Sequence, residues 1–215
     1  KKVKALVLLS GGLDSMLAVK ILQEQGIEVS GITFESNFYN AEKAKRAVKQ
    51  LGISLKIIDI RKEMLDLVKN PTNGHGKNLN PCIDCHALMI RKASEFLKNQ
   101  PHPSPLLKNE RGLISRVKKL IFRPSSLPRR RTGGSEEFDV IATGEVAGQR
   151  PFSQTKQALQ RVEKNAGVEV LRPLSAKLLP ETEYEKQGLV DRSKLLDISG
   201  RERERQMELA KKFGV

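Results

Sequence analysis

Residues 5–17 read ALVLLSGGLDSML, and the break inside that stretch decides how the chain is organised. Ala5 to Leu9 is a short continuous apolar run, the pattern of a strand buried on both faces. Beyond the break the period changes. Leu13, Leu17, Ile21 and Leu22, with Met16 and Val19 beside them, recur at helical spacing. Between the two lie Ser10, Gly11 and Gly12, with Asp14 and Ser15 just after. The order is strand, glycine turn, helix. Glycines tolerate positive φ and let backbone N–H groups approach a ligand closely. A helix start adds unpaired donors and the positive end of its dipole. Together they suit an anion, phosphate above all. The plainer alternative is a tight connection capped by Ser10, Asp14 or Ser15. No lysine follows the glycines until Lys20, which excludes a Walker A loop, and G-x-G-x-x-G is absent too.

Outward from this junction, strands and helices alternate. Val29–Phe34 reads as a second strand, and residues 40–51 as a helix stopped by Gly52. Ser54–Ile60 reads as a third strand and Arg61–Lys69 as a short helix. Residues 70–86, rich in Asn, Gly and Pro, read as a loop, with a helix from Ala87 to Leu97. A strand is expected within 137–145, a helix after Ser153, a further strand at 168–175 and a helix over 201–214. Such alternation predicts an α/β fold, a parallel twisted sheet with helices on both faces. Ligands of these sheets sit at the carboxyl ends of the strands. That rule gathers residues 10–15, 34–37, 78–85 and 143–149 at one edge.

The bulk properties narrow the function classes. At 215 residues the chain can bury a real core. No apolar run is long enough for a transmembrane helix, and the charged start followed by a short apolar run reads as the first strand and not as a signal peptide. The chain does not begin with Met, which leaves a trimmed terminus and further domains open. Two cysteines do not make a secreted disulfide scaffold, so a cytoplasmic setting with no membrane contact is expected. The net charge is +14, and its distribution is uneven: residues 101–131 hold nine Lys and Arg against one acid, Glu110. The chain therefore divides into an α/β domain over 1–97 and 137–215 and a basic Pro- and Arg-rich insert over 98–136. Such an insert fits polyanion contact, or else a solvated charge-rich loop.

The hexapeptide SGGLDS at 10–15 resembles the pyrophosphate loop of the PP-loop ATP pyrophosphatases, of the adenine nucleotide α-hydrolase type. The resemblance implies ATP cleaved between its α and β phosphates, with AMP placed on a substrate oxygen. It implies Ser10, Gly11, Gly12, Asp14 and Ser15 at the nucleotide, with Mg²⁺ sharing the phosphate charge. Phe34, Thr143, Gly144 and Gln149, at the same predicted edge, complete the expected nucleotide-binding set. Asp14 is the candidate for orienting the loop or the metal.

Cys82 and Cys85 are spaced C-x-x-C. Near a helix start such a thiol has a lowered pKa and a larger thiolate fraction. Other readings of the pair compete. A zinc site needs two more ligands, for which His75, His86 and His102 are candidates. An iron–sulfur cluster normally takes at least three cysteines, so it is possible here but not favoured. CIDCH also matches the haem attachment motif, with no obvious axial methionine to support it. The stretch NPCIDC at 80–85 resembles the segment that carries the catalytic cysteine of bacterial tRNA 2-thiouridylases, which places Cys85 at the catalytic position and Cys82 as its redox or ligand partner. TGEVAGQRPFSQT at 143–155 and LRPLS at 171–175 are similar to stretches of the tRNA 4-thiouridine synthases, also PP-loop enzymes. The ordinary alternative for 143–155 is a loop in which Ser153 caps the next helix. No cysteine follows Cys85, a departure from both families.

These resemblances imply an ATP-dependent tRNA sulfurtransferase. It would adenylate a uridine carbonyl and replace the oxygen with sulfur, using tRNA and a sulfur donor, either a persulfide carrier or sulfide. Two alternatives stay beside it: a PP-loop amidating enzyme, and a nucleotide- or cluster-binding regulatory module without catalysis.

Overall fold

Alternating apolar side chains decide how the central strand is covered. The computed structural model describes residues 2–74, 81–98 and 138–215. In chain order the elements are β1 (Lys4–Leu8), α1 (Leu13–Glu24), β2 (Glu28–Glu35), α2 (Glu42–Leu51), β3 (Leu55–Asp59), α3 (Arg61–Lys69), α4 (Cys82–Lys98), β4 (Val140–Thr143), α5 (Lys156–Ala166), α6 (Glu183–Lys186) and α7 (Glu204–Phe213). On β1, Ala5 and Val7 face one way, with Leu9 just beyond, and pack with Leu17, Val19 and Leu22 of α1 and with Ala44 and Ala47 of α2. Leu6 faces the other way, against Ile32, Met64 of α3 and Leu88 of α4. Residues i and i+2 share a face of a strand, so one apolar run supplies both covered faces. α7 packs on the α1 side through Leu209 and Phe213, while α5 joins α4 on the other face through Val162.

Among the described residues the four strands are all parallel, in the order β3-β2-β1-β4. Leu8 stands beside both Ile32 and Thr143, so the ends of β1, β2 and β4 lie at one edge. β1 also pairs with β4 from Ala5↔Val140 onward, joining the segments before and after residues 99–137 in one sheet. β3 is an edge strand with much of its length exposed, and its charged Lys56 and Asp59 suit an unpaired edge.

Two local expectations are corrected. The loop predicted over 70–86 ends early, because α4 opens at Cys82 and both cysteines lie in its first turn. The Asn, Gly and Pro residues ahead of it gave the wrong boundary; Pro81 is compatible with a helix start, and its carbonyl accepts from Cys85 N–H at 2.9 Å. The strand predicted at 168–175 is reduced to one parallel bridge between Ala142 and Leu171. Pro173 has no N–H to give a ladder, so pairing stops there. The amphipathic turn expected near residues 113–122 lies outside the described residues.

A candidate nucleotide and thiol site

Gly12 is the N-cap of α1, with extended backbone and no side chain to cap the first turn. Ser10 Oγ accepts from Gly12 N–H at 3.2 Å, and Ser15 Oγ donates to Gly12 C=O at 2.7 Å. The two hydroxyls are 3.3 Å apart. The serines thus shape the turn and leave the first-turn N–H groups of α1 to a ligand. Gly11 has φ +77°, and a methyl there would collide with the Lys43 backbone at the start of α2. Gly144 has another reason to be glycine: a Cβ would lie 2.5 Å from Ser15 N and Cα. The loop after β4 therefore rests directly on the start of α1.

Asp14 does not cap α1. Its Oδ2 accepts from Gln149 Nε2 at 3.1 Å, and its Oδ1 pairs with Arg203 Nη2 at 3.1 Å. Three segments distant in sequence meet on this carboxylate. The sequence holds no sign of Arg203, which sits in a stretch expected to be helical but is the N-cap of α7. Ser153 is not the cap of α5 either; Thr155 is, accepting from Ala158 N–H at 3.1 Å.

Phe34 is placed differently from the rest of the predicted set. Its ring is buried among Leu6, Ile32 and Met64, so only its backbone remains for a ligand. Thr143 is buried and donates to Glu145 Oε2 at 3.1 Å. Glu145 is the centre of a network that sequence reading passed over although it stands inside the quoted TGE motif. Its Oε1 lies 2.7 Å from His86 Nδ1 and its Oε2 is 3.0 Å from Arg172 Nε. Arg172 also pairs with Glu163. Burial opposes ionisation of Glu145, but the Arg172 charge and the His86 contact outweigh it and bring the carboxyl down to about 2. The network ties the thiol helix α4, the β4 edge, α5 and the 171–175 segment together.

Both cysteines are free and half-buried. The expectation of a lowered pKa is corrected for Cys85. Burial pushes this thiol up, the Tyr39 hydroxyl 3.9 Å away pulls it back, and the neighbouring Cys82 adds to the rise. A helix start favours thiolate only where water or charge reaches the sulfur, and Cys85 is packed against the apolar cluster beneath β2. Between the cysteines, buried Asp84 accepts from Asn73 N–H at 2.9 Å and holds the preceding turn to α4. His86 is engaged by Glu145; His75 and His102 lie outside the described residues. Among the described residues no group of three or more His, Cys, Asp or Glu is placed to hold a metal, and no helix is long and apolar enough to cross a membrane.

Residues 3–101 match the family model described as tRNA methyl transferase HUP domain. Over 89 residues the chain is 38% identical to tRNA-specific 2-thiouridylase MnmA 2 of Fusobacterium nucleatum, covering 38% of this chain and 26% of that protein. Over 171 residues it is 28% identical to a protein of Geobacillus thermodenitrificans named "Probable tRNA sulfurtransferase", covering 80% of this chain and 34% of the other. The chain thus spans about a quarter to a third of the length of these two relatives. Among solved structures, a 4-thiouridine synthetase in complex with RNA and bound ATP superposes with a TM-score of 0.56 at 21% identity, over 98% of this chain and 40% of that one. The chain thus has the α/β fold of that synthetase and is similar in sequence to proteins named as tRNA 2-thiouridylases and a tRNA sulfurtransferase.

Proposed function

We propose that this PP-loop protein activates a tRNA uridine with ATP and exchanges the activated oxygen for sulfur through its C-x-x-C thiols. One observation carries the reading: the uncapped start of α1 and the thiol-bearing start of α4 belong to the same carboxyl edge of the sheet, joined through the loop after β4. A phosphate site and a sulfur nucleophile at one edge suit a reaction that needs both. Similarity to tRNA 2-thiouridylases and to a tRNA sulfurtransferase supports the choice of substrate. An amidating enzyme has no use for the two thiols.

A uridine carbonyl carbon is amide-like and does not give up its oxygen unaided. In the proposed reaction that oxygen attacks the α-phosphorus of ATP and pyrophosphate leaves. The turn at Ser10, Gly11 and Gly12 and the first-turn N–H groups of α1 receive the phosphate charge as it develops. Ser15 fixes the turn, Gly144 lets the β4 loop close over it, and Gln149 with Arg203 holds Asp14 in place. Mg²⁺ would arrive with the nucleotide, Asp14 being the acid nearest the loop; the ion's chemistry is to share the phosphate charge. One of the thiols, charged by the donor as a persulfide, adds its outer sulfur to the activated carbon, so that uridine and cysteine are joined through an S–S bond, and AMP departs with the original oxygen. The other thiol attacks the resulting S–S bond, releasing the thiouridine and leaving a Cys82–Cys85 disulfide for an external thiol to reduce.

The test is mass spectrometry of tRNA nucleosides after incubation with ATP and a persulfide donor. The chain should produce thiouridine together with AMP and pyrophosphate. Cys85→Ser should release pyrophosphate when tRNA is present and yield no thiouridine. Normal thiouridine from that variant would remove Cys85 from the reaction, and absence of tRNA-dependent pyrophosphate from the unaltered chain would reject the reading.

A further inference from the structure

The two thiols of α4 occupy different chemical surroundings. Cys85 packs against the cluster containing Leu6, Ile32, Phe34 and Met64, with the Tyr39 hydroxyl 3.9 Å from its sulfur. Cys82 is the first residue of α4, one turn ahead of His86. Residues four apart on a helix are neighbours, about 5–6 Å between Cβ atoms. Helical side chains also lean toward the N-terminus, so the spacing sets His86 and Cys82 on the same side of α4, one turn apart.

That ring is held from behind. His86 Nδ1 is 2.7 Å from Glu145 Oε1, and Glu145 is itself fixed by Arg172 Nε at 3.0 Å and Thr143 Oγ1 at 3.1 Å. An ionised carboxylate can only accept, so Nδ1 carries the proton in this contact. Nε2 is then the nitrogen left to exchange a proton with another group.

We propose that Cys82 is the thiol that takes up sulfur, with His86 as its proton acceptor, Glu145 as the residue that positions the imidazole, and Cys85 as the resolving thiol. The assignment rests on the thiolation reading above and divides its labour between the two cysteines. Cys82 gives its proton to His86 Nε2 and attacks the outer sulfur of an alkyl persulfide. A new S–S bond forms on Cys82, the donor's S–S bond breaks, and the donor sulfur leaves as a thiol with the proton from His86. One persulfide is exchanged for another, so no oxidant or reductant is needed in this step.

The experiment uses the full, reduced chain. Iodoacetamide labelling at neutral pH is followed at each cysteine by peptide mass spectrometry, and glutathione persulfide is used separately to locate the added sulfur. Cys82 should be alkylated roughly tenfold faster than Cys85 and should carry the sulfane sulfur. His86→Gln should slow Cys82 by roughly tenfold and leave the rate at Cys85 unchanged. Glutamine can still hydrogen-bond Glu145 but accepts no proton, so a purely structural role for His86 would leave the ratio of the two rates as it was. Equal rates in the unaltered chain, a faster Cys85, or an unchanged ratio in His86→Gln would overturn the proposal. None of these measurements uses tRNA or ATP, so their outcome is independent of whether the chain thiolates tRNA.

Discussion

Gln149 Nε2 donates to Asp14 Oδ2 at 3.1 Å, across 135 positions of sequence. The contact joins the loop after β4 to the first turn of α1, and Arg203 closes the same carboxylate from its other oxygen. Asp14 is therefore the place where three chain segments fix the geometry of the glycine turn.

Asp14→Ala should leave the fold intact and remove function. The pair with half-exposed Arg203 is worth at most about 1 kcal/mol. The thermal midpoint should move little, whereas tRNA-dependent pyrophosphate release should be lost. Release at the unaltered rate would take Asp14 out of the mechanism.

Gly144→Ala places a methyl 2.5 Å from the Ser15 backbone, and neither backbone can yield without moving β4 from α1. Overpacking of this kind costs roughly 1–3 kcal/mol. Denaturant unfolding should register that loss, and ATP affinity measured by equilibrium binding should fall with it. Stability and affinity equal to those of the unaltered chain would contradict the close approach.

Glu145 gives the pH dependence a sign. Its carboxyl is lowered from an ordinary 4.5 to about 2 in the folded chain, so its contribution is complete above the unfolded value and disappears as pH falls through the folded one. Stability should decline between roughly pH 4.5 and 2 with a component that Glu145→Gln abolishes. At neutral pH that variant leaves Arg172 buried with only Glu163 beside it, a loss of about 3 kcal/mol in unfolding free energy. A variant with unaltered midpoint and unaltered acid limb would show that the network carries no stability.

Residues 101–131 of the basic insert lie outside the described residues, and the prediction for them rests on charge alone. Replacing Arg129, Arg130 and Arg131 by alanine should weaken tRNA binding and reduce the salt dependence by up to roughly three counterion units. Affinity and slope both unchanged would make the insert a solvated loop.

The sequence by itself determined the plan of the sheet, because period is a local property. The switch from a continuous apolar run to helical spacing at Ser10–Gly12 located β1, the turn and α1. The same reading placed α3 at Arg61–Lys69, and Gly52 ended α2 in the left-handed conformation its position suggested. Tertiary structure decided everything that depends on who meets whom. The sequence marked the serines and Asp14 as candidate site residues, but not that the serines brace the turn while Asp14 binds Gln149 and Arg203. The C-x-x-C spacing announced two thiols, yet only packing distinguishes them: one lies against a core cluster and the other stands a turn from a histidine held by a buried carboxylate. Glu145, Arg172 and Arg203 carry no periodic signal, since their partners lie far away along the chain. Their roles come from burial and charge compensation, which exist only once the strands have brought those distant segments to one edge.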